Sequence, residues 1–181
     1  MANNRASAAA VAAASVLGFV CSVWALPQVT QVTLSRRTYS RIVDISYTLS
    51  AEPAIVTLAI ATNGVALPNR CVATLSGDVN RLISGAGTHH ITWSAGIDWP
   101  ENLASNVQAK VTAWSTNNPP AYLVVDLSAG ASAASYPVSY YTDLDALPDG
   151  GLTNDVYRTD RLVLRRIRTQ TDYPENGVFP M

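Results

Sequence analysis

Between Gln28 and Ser115 apolar and polar residues alternate with a period of two, which limits the chain to strands that bury one face. In IVDISYTL, Val43, Ile45, Tyr47 and Leu49 fall on one face, and Asp44, Ser46 and Thr48 on the other. IVTLAIAT repeats the pattern with Val56, Leu58 and Ile60, and VQAKVTAW with Val107, Ala109, Val111 and Ala113. QVTQVTL places Thr30, Val32 and Leu34 together, and HHITW does the same for His89, Ile91 and Trp93. The turn formers SAEPA, TNGVALPN, SGD, SGAG and DWPEN separate these runs. After Ala25 no stretch has convincing helical periodicity.

Short strands at near-regular spacing predict two stacked antiparallel sheets whose Val, Ile and Leu faces meet. The expected fold class is all-β: a fibronectin/immunoglobulin-like antiparallel β-sandwich, followed by a strand-rich, incomplete C-terminal segment. A cysteine pair around a tryptophan, which marks the immunoglobulin type, is absent, so the fibronectin-like form is nearer. STNNPPA at 115–121 interrupts the pattern and marks a boundary. Beyond it, YLVVDL is a continuous apolar run suited to a strand covered on both faces, and YPVSYY and RLVLRRI are strands short of a sheet. The predicted division is residues 1–25 as a signal peptide, 26–118 as the sandwich, and 119–181 as a linker and the first strands of a truncated domain. Residues 28–115 are expected to fold alone and 119–181 to be protease-sensitive.

The leading segment has one arginine in MANNR, an uncharged apolar run, and Val23-Trp24-Ala25 before Leu26-Pro27, the anatomy of a secretory signal cleaved near Ala25. A retained membrane anchor is the alternative, since about 18 apolar residues can span a bilayer. Secretion or a periplasmic or cell-surface location follows from cleavage. Cleavage also removes Cys21 and leaves Cys71 with no disulfide partner, so the reading of Cys71 is a small buried hydrophobe. With 48% hydrophobic residues in a 181-residue chain, the core must hold the fold. A formal net charge of -1 supplies no field for nucleic acid or an anionic membrane.

Residues that could carry chemistry are few. His89 and His90 are adjacent, so on a strand they point to opposite faces and cannot chelate one metal together. Asp143, Asp145 and Asp149 echo a calcium loop in their first two spacings, but its glycine and distal glutamate are not at the required offsets, and they read as solvated turn carboxylates. No serine sits in a nucleophile elbow and no phosphate-cradling loop is present, so no catalytic or metal residue is assigned. Arg158, Arg161, Arg165, Arg166 and Arg168 concentrate charge among Asp155, Asp160 and the apolar Leu162, Leu164 and Ile167, as a solvated or ion-paired strand face would. The candidate partner contacts are Trp99, Trp114, Arg165 and Arg166; Trp114 falls on the polar side of its strand, where the following segment is expected to cover it.

The segments SRIVDISYTLS, LSGDVNRLISGAGTHHITWSAGIDWPEN, VQAKVTAW, YLVVDLSAG and TNDVYRTDRLVLRRI resemble the N-terminal region of secreted bacterial proteins of the formylglycine-generating, or sulfatase-modifying-factor, superfamily. GTHHITWSAGIDWP and DRLVLRRI are the most distinctive pieces. The resemblance implies a signal peptide and a β-sandwich module ahead of a catalytic domain, whose opening is similar to Gly177, Phe179 and Met181, with Pro180 intruding. The cysteines or histidines that bind copper or iron in catalytic members have no matching positions, so no cofactor is expected. The implied function is a non-catalytic exported module that positions or tethers a catalytic domain absent from the chain, with that domain or another protein as partner. Alternatives are a fragment of a full metal-dependent oxidase, which predicts poor burial of Leu162, Leu164 and Ile167, and a stand-alone surface adhesion or carbohydrate-binding module. The latter predicts a contiguous aromatic patch including Trp99 or Trp114.

Overall fold

The computed structural model describes residues 26–167. The predicted signal peptide with Cys21 and the Ala25 cleavage point, Arg168, and the segment with Gly177, Phe179 and Met181 lie outside the described residues.

The fold is strand-dominated. Its strands are β1 (Val29–Arg36), β2 (Ile42–Leu49), β3 (Ala54–Thr62), β4 (Val65–Ala66), β5 (Leu75–Gly77), β6 (Leu82–Ile83), β7 (Gly87–Ser94), β8 (Val107–Ser115), β9 (Tyr122–Asp126), β10 (Val138–Tyr141) and β11 (Arg161–Arg165). Among the described residues, helices are limited to the four-residue α1 (Ala95–Asp98) and α2 (Val156–Thr159) and three single 3-10 turns. One sheet runs β1-β2-β7-β5. In a second, β3 pairs β8 along its whole length, leaving its other edge to β4 at one end and β6 at the other. A third runs β10-β9-β11, and every pairing is antiparallel.

The alternating residues build the core between the first two sheets. Val43, Ile45, Tyr47 and Leu49 of β2 meet Val56, Leu58 and Ile60 of β3, Ile91 and Trp93 of β7, and Val111 of β8. Burying each such side chain stabilises the fold by about 1.5–3 kcal/mol. The hairpin from β3 to β4 turns on Asn63 and Gly64, both at positive φ, as a two-residue hairpin turn demands.

Strand β1 departs from the sequence expectation. Thr30, Val32 and Leu34 do not share an inward face: Val29 and Leu34 pack on the core, whereas Val32 is exposed. Thr30 pairs with Thr48 and Thr33 with Ser46, so two residues of β1 oppose the single Tyr47. This bulge, with Gln31 at φ 52°, shifts the inward parity from odd to even residues.

The loop between β5 and β6 joins the sheets. The Tyr47 hydroxyl donates to the Asp78 carbonyl at 2.7 Å, and the Asp78 amide donates to the His90 carbonyl at 2.8 Å. The Asp78 carboxylate meets His89 Nδ1 at 2.9 Å and the Arg81 guanidinium. Burial alone would raise the Asp78 carboxyl, but the hydrogen bonds from His89 and Arg81, with their charge, outweigh it and hold it below the usual carboxylate range. A carboxyl depressed in the folded state contributes stability above its unfolded value, and that contribution is lost as pH falls through the folded value. Stability measured by denaturant midpoint should therefore drop below about pH 4, and Asp78→Asn should flatten part of that drop.

Residues 119–167 do not remain strands short of a sheet. β9, β10 and β11 pair with one another and enclose a small core of Val124, Tyr141 and Leu147, flanked by Tyr122, Tyr157 and Val163. The Asn80 amide donates to the Val56 carbonyl and the Tyr140 amide to the Asn80 carbonyl, each at 2.7 Å, so one residue links β3 to β10. Asp143, Asp145 and Asp149 are not merely solvated turn carboxylates. Asp143 accepts from Asn69 and caps the turn at Ala146, Asp145 pairs with Arg70 at 3.4 Å, and Asp149 with Arg161 at 2.8 Å. In limited proteolysis the first cut should fall in the exposed small-residue stretch 128–135; earlier cutting within β1–β8 would contradict this arrangement.

Candidate functional site

On β9 the alternation places Tyr122 and Val124 on the face that builds the small core, and Leu123 and Val125 on the opposite, outer face. The pairings Leu162↔Val125, Leu164↔Leu123, Val138↔Val125 and Tyr140↔Leu123 add their side chains to that outer face. Leu162 and Leu164 are each 47% exposed and Val138 36% exposed. The result is an uncharged face of five aliphatic side chains and Tyr140, with Leu123, Val125 and Tyr140 half-buried and the flanking Val138, Leu162 and Leu164 exposed, continued past β11 by the 88% exposed Ile167. β11 is also an edge strand, and its second edge has no partner among the described residues.

Leu162, Leu164 and Ile167 are thus poorly buried. The arginines interleaved with them do not form the outer face. Arg161 and Val163 lie on the core side, and Arg161 packs over the Tyr157 ring at 5.2 Å while pairing with Asp149. Arg165 sits on β11 opposite Tyr122 and is exposed. Arg166 binds back onto the boundary segment: its amide donates to the Ala121 carbonyl at 2.8 Å and its guanidinium to Asn118.

The two candidate tryptophans lie far apart. Trp114 is half-buried near the end of β8, where its indole N–H donates to Thr57 Oγ1 at 2.8 Å. Trp99 follows α1 at the other end of the sandwich and packs against the main core. There it lines an open cleft of about 330 Å³ with Leu34, Val43, Trp93 and Val107. Arg36 and Arg41 also line the cleft, and sequence reasoning missed both. It also missed Leu123, Val125, Val138 and Tyr140, although the unbroken apolar run of β9 was the available signal for a strand with two apolar faces.

The histidines occupy opposite faces of β7. His90 meets Ser46 Oγ at 2.9 Å on the solvent side. His89 stacks on Tyr47 with ring centroids 5.4 Å apart, and its Nε2 lies 2.7 Å from the Gly85 carbonyl. With Asp78 at Nδ1, both ring nitrogens of His89 face acceptors, so this Asp–His pair offers no free nitrogen to a nucleophile. Among the described residues no group of three or more His, Cys, Asp or Glu is placed to hold a metal. Cys71 lies in the turn Asn69–Val72 with intermediate exposure, not in the core. No helix among the described residues is long and apolar enough to cross a membrane.

Comparison of the chain with protein-family models, with curated proteins and with solved structures finds no match.

Proposed function

We propose that this chain is a non-catalytic, exported module in which a fibronectin/immunoglobulin-like sandwich carries a small C-terminal sheet that docks and positions a sulfatase-modifying-type catalytic domain. The observation that carries the reading is the outer face of β9–β11, where Leu162 and Leu164 remain 47% exposed on a strand whose second edge has no partner among the described residues. An apolar face beside an unpaired edge is costly in water and favours association with further chain. Supporting it, Asn80 and the Asn69–Asp143 and Arg70–Asp145 contacts hold the small sheet on the sandwich. The companion reading, a fragment of a full formylglycine-generating-type oxidase, uses the same face. The adhesion or carbohydrate-binding reading has less support, because Trp99 and Trp114 lie near opposite ends of β8 and form no contiguous patch.

The test is the native product recognised by antibodies against residues 28–115. A species larger than this chain, with cross-links from the outer face into its additional region, supports the docking role. A species of this size that stays monomeric at high concentration would count against it. In the isolated chain, Leu162→Lys with Leu164→Lys should abolish concentration-dependent self-association and lower hydrophobic-dye binding without moving the thermal midpoint downward; unchanged dye binding would show that the face is already covered.

A further inference from the structure

The cleft at the open end of the sandwich carries an inference independent of the docking face. Its walls are apolar, with Trp93 as the floor and Trp99, Leu34 and Val43 at the sides. Its rim is basic. Arg36 ends β1 opposite Val43, so it occupies a core-facing register position directly after Leu34, where an apolar residue would continue the strand's inward row. Arg41 stands at the entry to β2, its stem laid on α1, where a Cβ on Gly96 would come within 2.9 Å of Arg41 Cβ.

The three basic residues around this turn differ in a telling way. Arg37 is closed on Asp44 by hydrogen bonds of 2.7 and 2.8 Å. Neither Arg36 nor Arg41 has an ion-pair partner among the described residues. The nearby Asp98 carboxylate is already satisfied by the Thr74 amide at 2.7 Å, the Thr74 hydroxyl at 2.5 Å and the Trp93 indole N–H at 3.0 Å. The cleft therefore combines an aromatic, apolar interior with two guanidinium groups that lack counter-charge.

We propose that this cleft binds a small aryl carboxylate, its ring against Trp99 and its carboxylate between Arg36 and Arg41. Planar guanidinium groups match a carboxylate in two-pronged hydrogen bonding. A volume of about 330 Å³ is at the lower end of small-molecule sites, which fits a ligand of one or two rings. A sugar acid fits less well, because Asn102 and Ser105 are the uncharged polar side chains of the lining and most sugar hydroxyls would go unpaired.

The experiment titrates the full chain with 2-naphthoate, its neutral amide and galacturonate by calorimetry, following the Trp99 indole N–H signal by NMR. Saturable 2-naphthoate binding that moves the Trp99 signal is expected, with the amide about tenfold weaker. Arg36→Gln with Arg41→Gln should weaken naphthoate binding about tenfold, and Leu103→Glu, at an 89% exposed lining position, should weaken it as well. These positions are exposed, so an unchanged thermal midpoint checks that the variants fold. Absence of saturation up to about 10 mM, equal binding of acid and amide, unchanged affinity in the double arginine variant, or tighter binding of galacturonate would each overturn the proposal.

Discussion

Trp93→Ala is expected to remove about 3–5 kcal/mol of stability, the range for deleting a buried tryptophan or phenylalanine side chain. Trp93, on β7, is 2% exposed, packs in the core between the first two sheets and floors the cleft. Its removal leaves a large cavity and takes the indole N–H from Asp98, while the Thr74 amide and hydroxyl still reach that carboxylate. A typical domain is stable by about 5–15 kcal/mol, so the variant should lie close to unfolding at room temperature. Trp93→Phe keeps much of the packing and loses the donor, and should cost only about 1–2 kcal/mol. Urea denaturation of the two variants beside the parent chain gives the comparison, and equal midpoints would show that the core is not packed around this residue.

Gly77→Ala should cost about 2–4 kcal/mol through a different cause. Gly77 ends β5 at φ 93°, a conformation that side chains rarely adopt, and a Cβ there would fall closer than 3.0 Å to the His90 carbonyl oxygen. That oxygen belongs to β7, which is paired with β2 along its length and cannot retreat, and it already accepts from the Asp78 amide. Gly64 is the control. It too has positive φ, at 78°, but nothing lies within 4 Å of its added Cβ, so Gly64→Ala should cost only about 1 kcal/mol. The difference between the two midpoints measures the collision separately from the backbone conformation. Equal costs would place the His90 carbonyl elsewhere.

The core strands were legible because their two faces meet different surroundings. Val43, Ile45, Tyr47 and Leu49 are buried and Asp44, Ser46 and Thr48 are not, and the period of two announces this directly. β1 was misread because a bulge adds one residue without any compositional mark, and parity reverses beyond it. The apolar face of the C-terminal sheet was half legible. YLVVDL signalled two apolar faces, but which face would be covered depends on where Tyr141, Leu147 and Tyr157 arrive, and those contacts join residues distant along the chain. Asp143 and Asp145 of DLDALPDGG looked solvated for the same reason: Asn69 and Arg70 lie more than 70 residues earlier.

By itself the sequence determined that this chain forms strands with one buried face, closes them with Gly, Asn and Pro turns, and gathers a hydrophobic core, because each of these follows from local alternation and composition. Tertiary structure alone decided that Asn80 links β3 to β10, that Leu162 and Leu164 face outward while Arg161 turns toward Tyr157, and that Arg36 and Arg41 line one cleft with Trp99 without an ion-pair partner among the described residues. Those arrangements depend on pairing register and on contacts between distant segments, and the energy of a side chain there is set by neighbours that its local sequence does not contain.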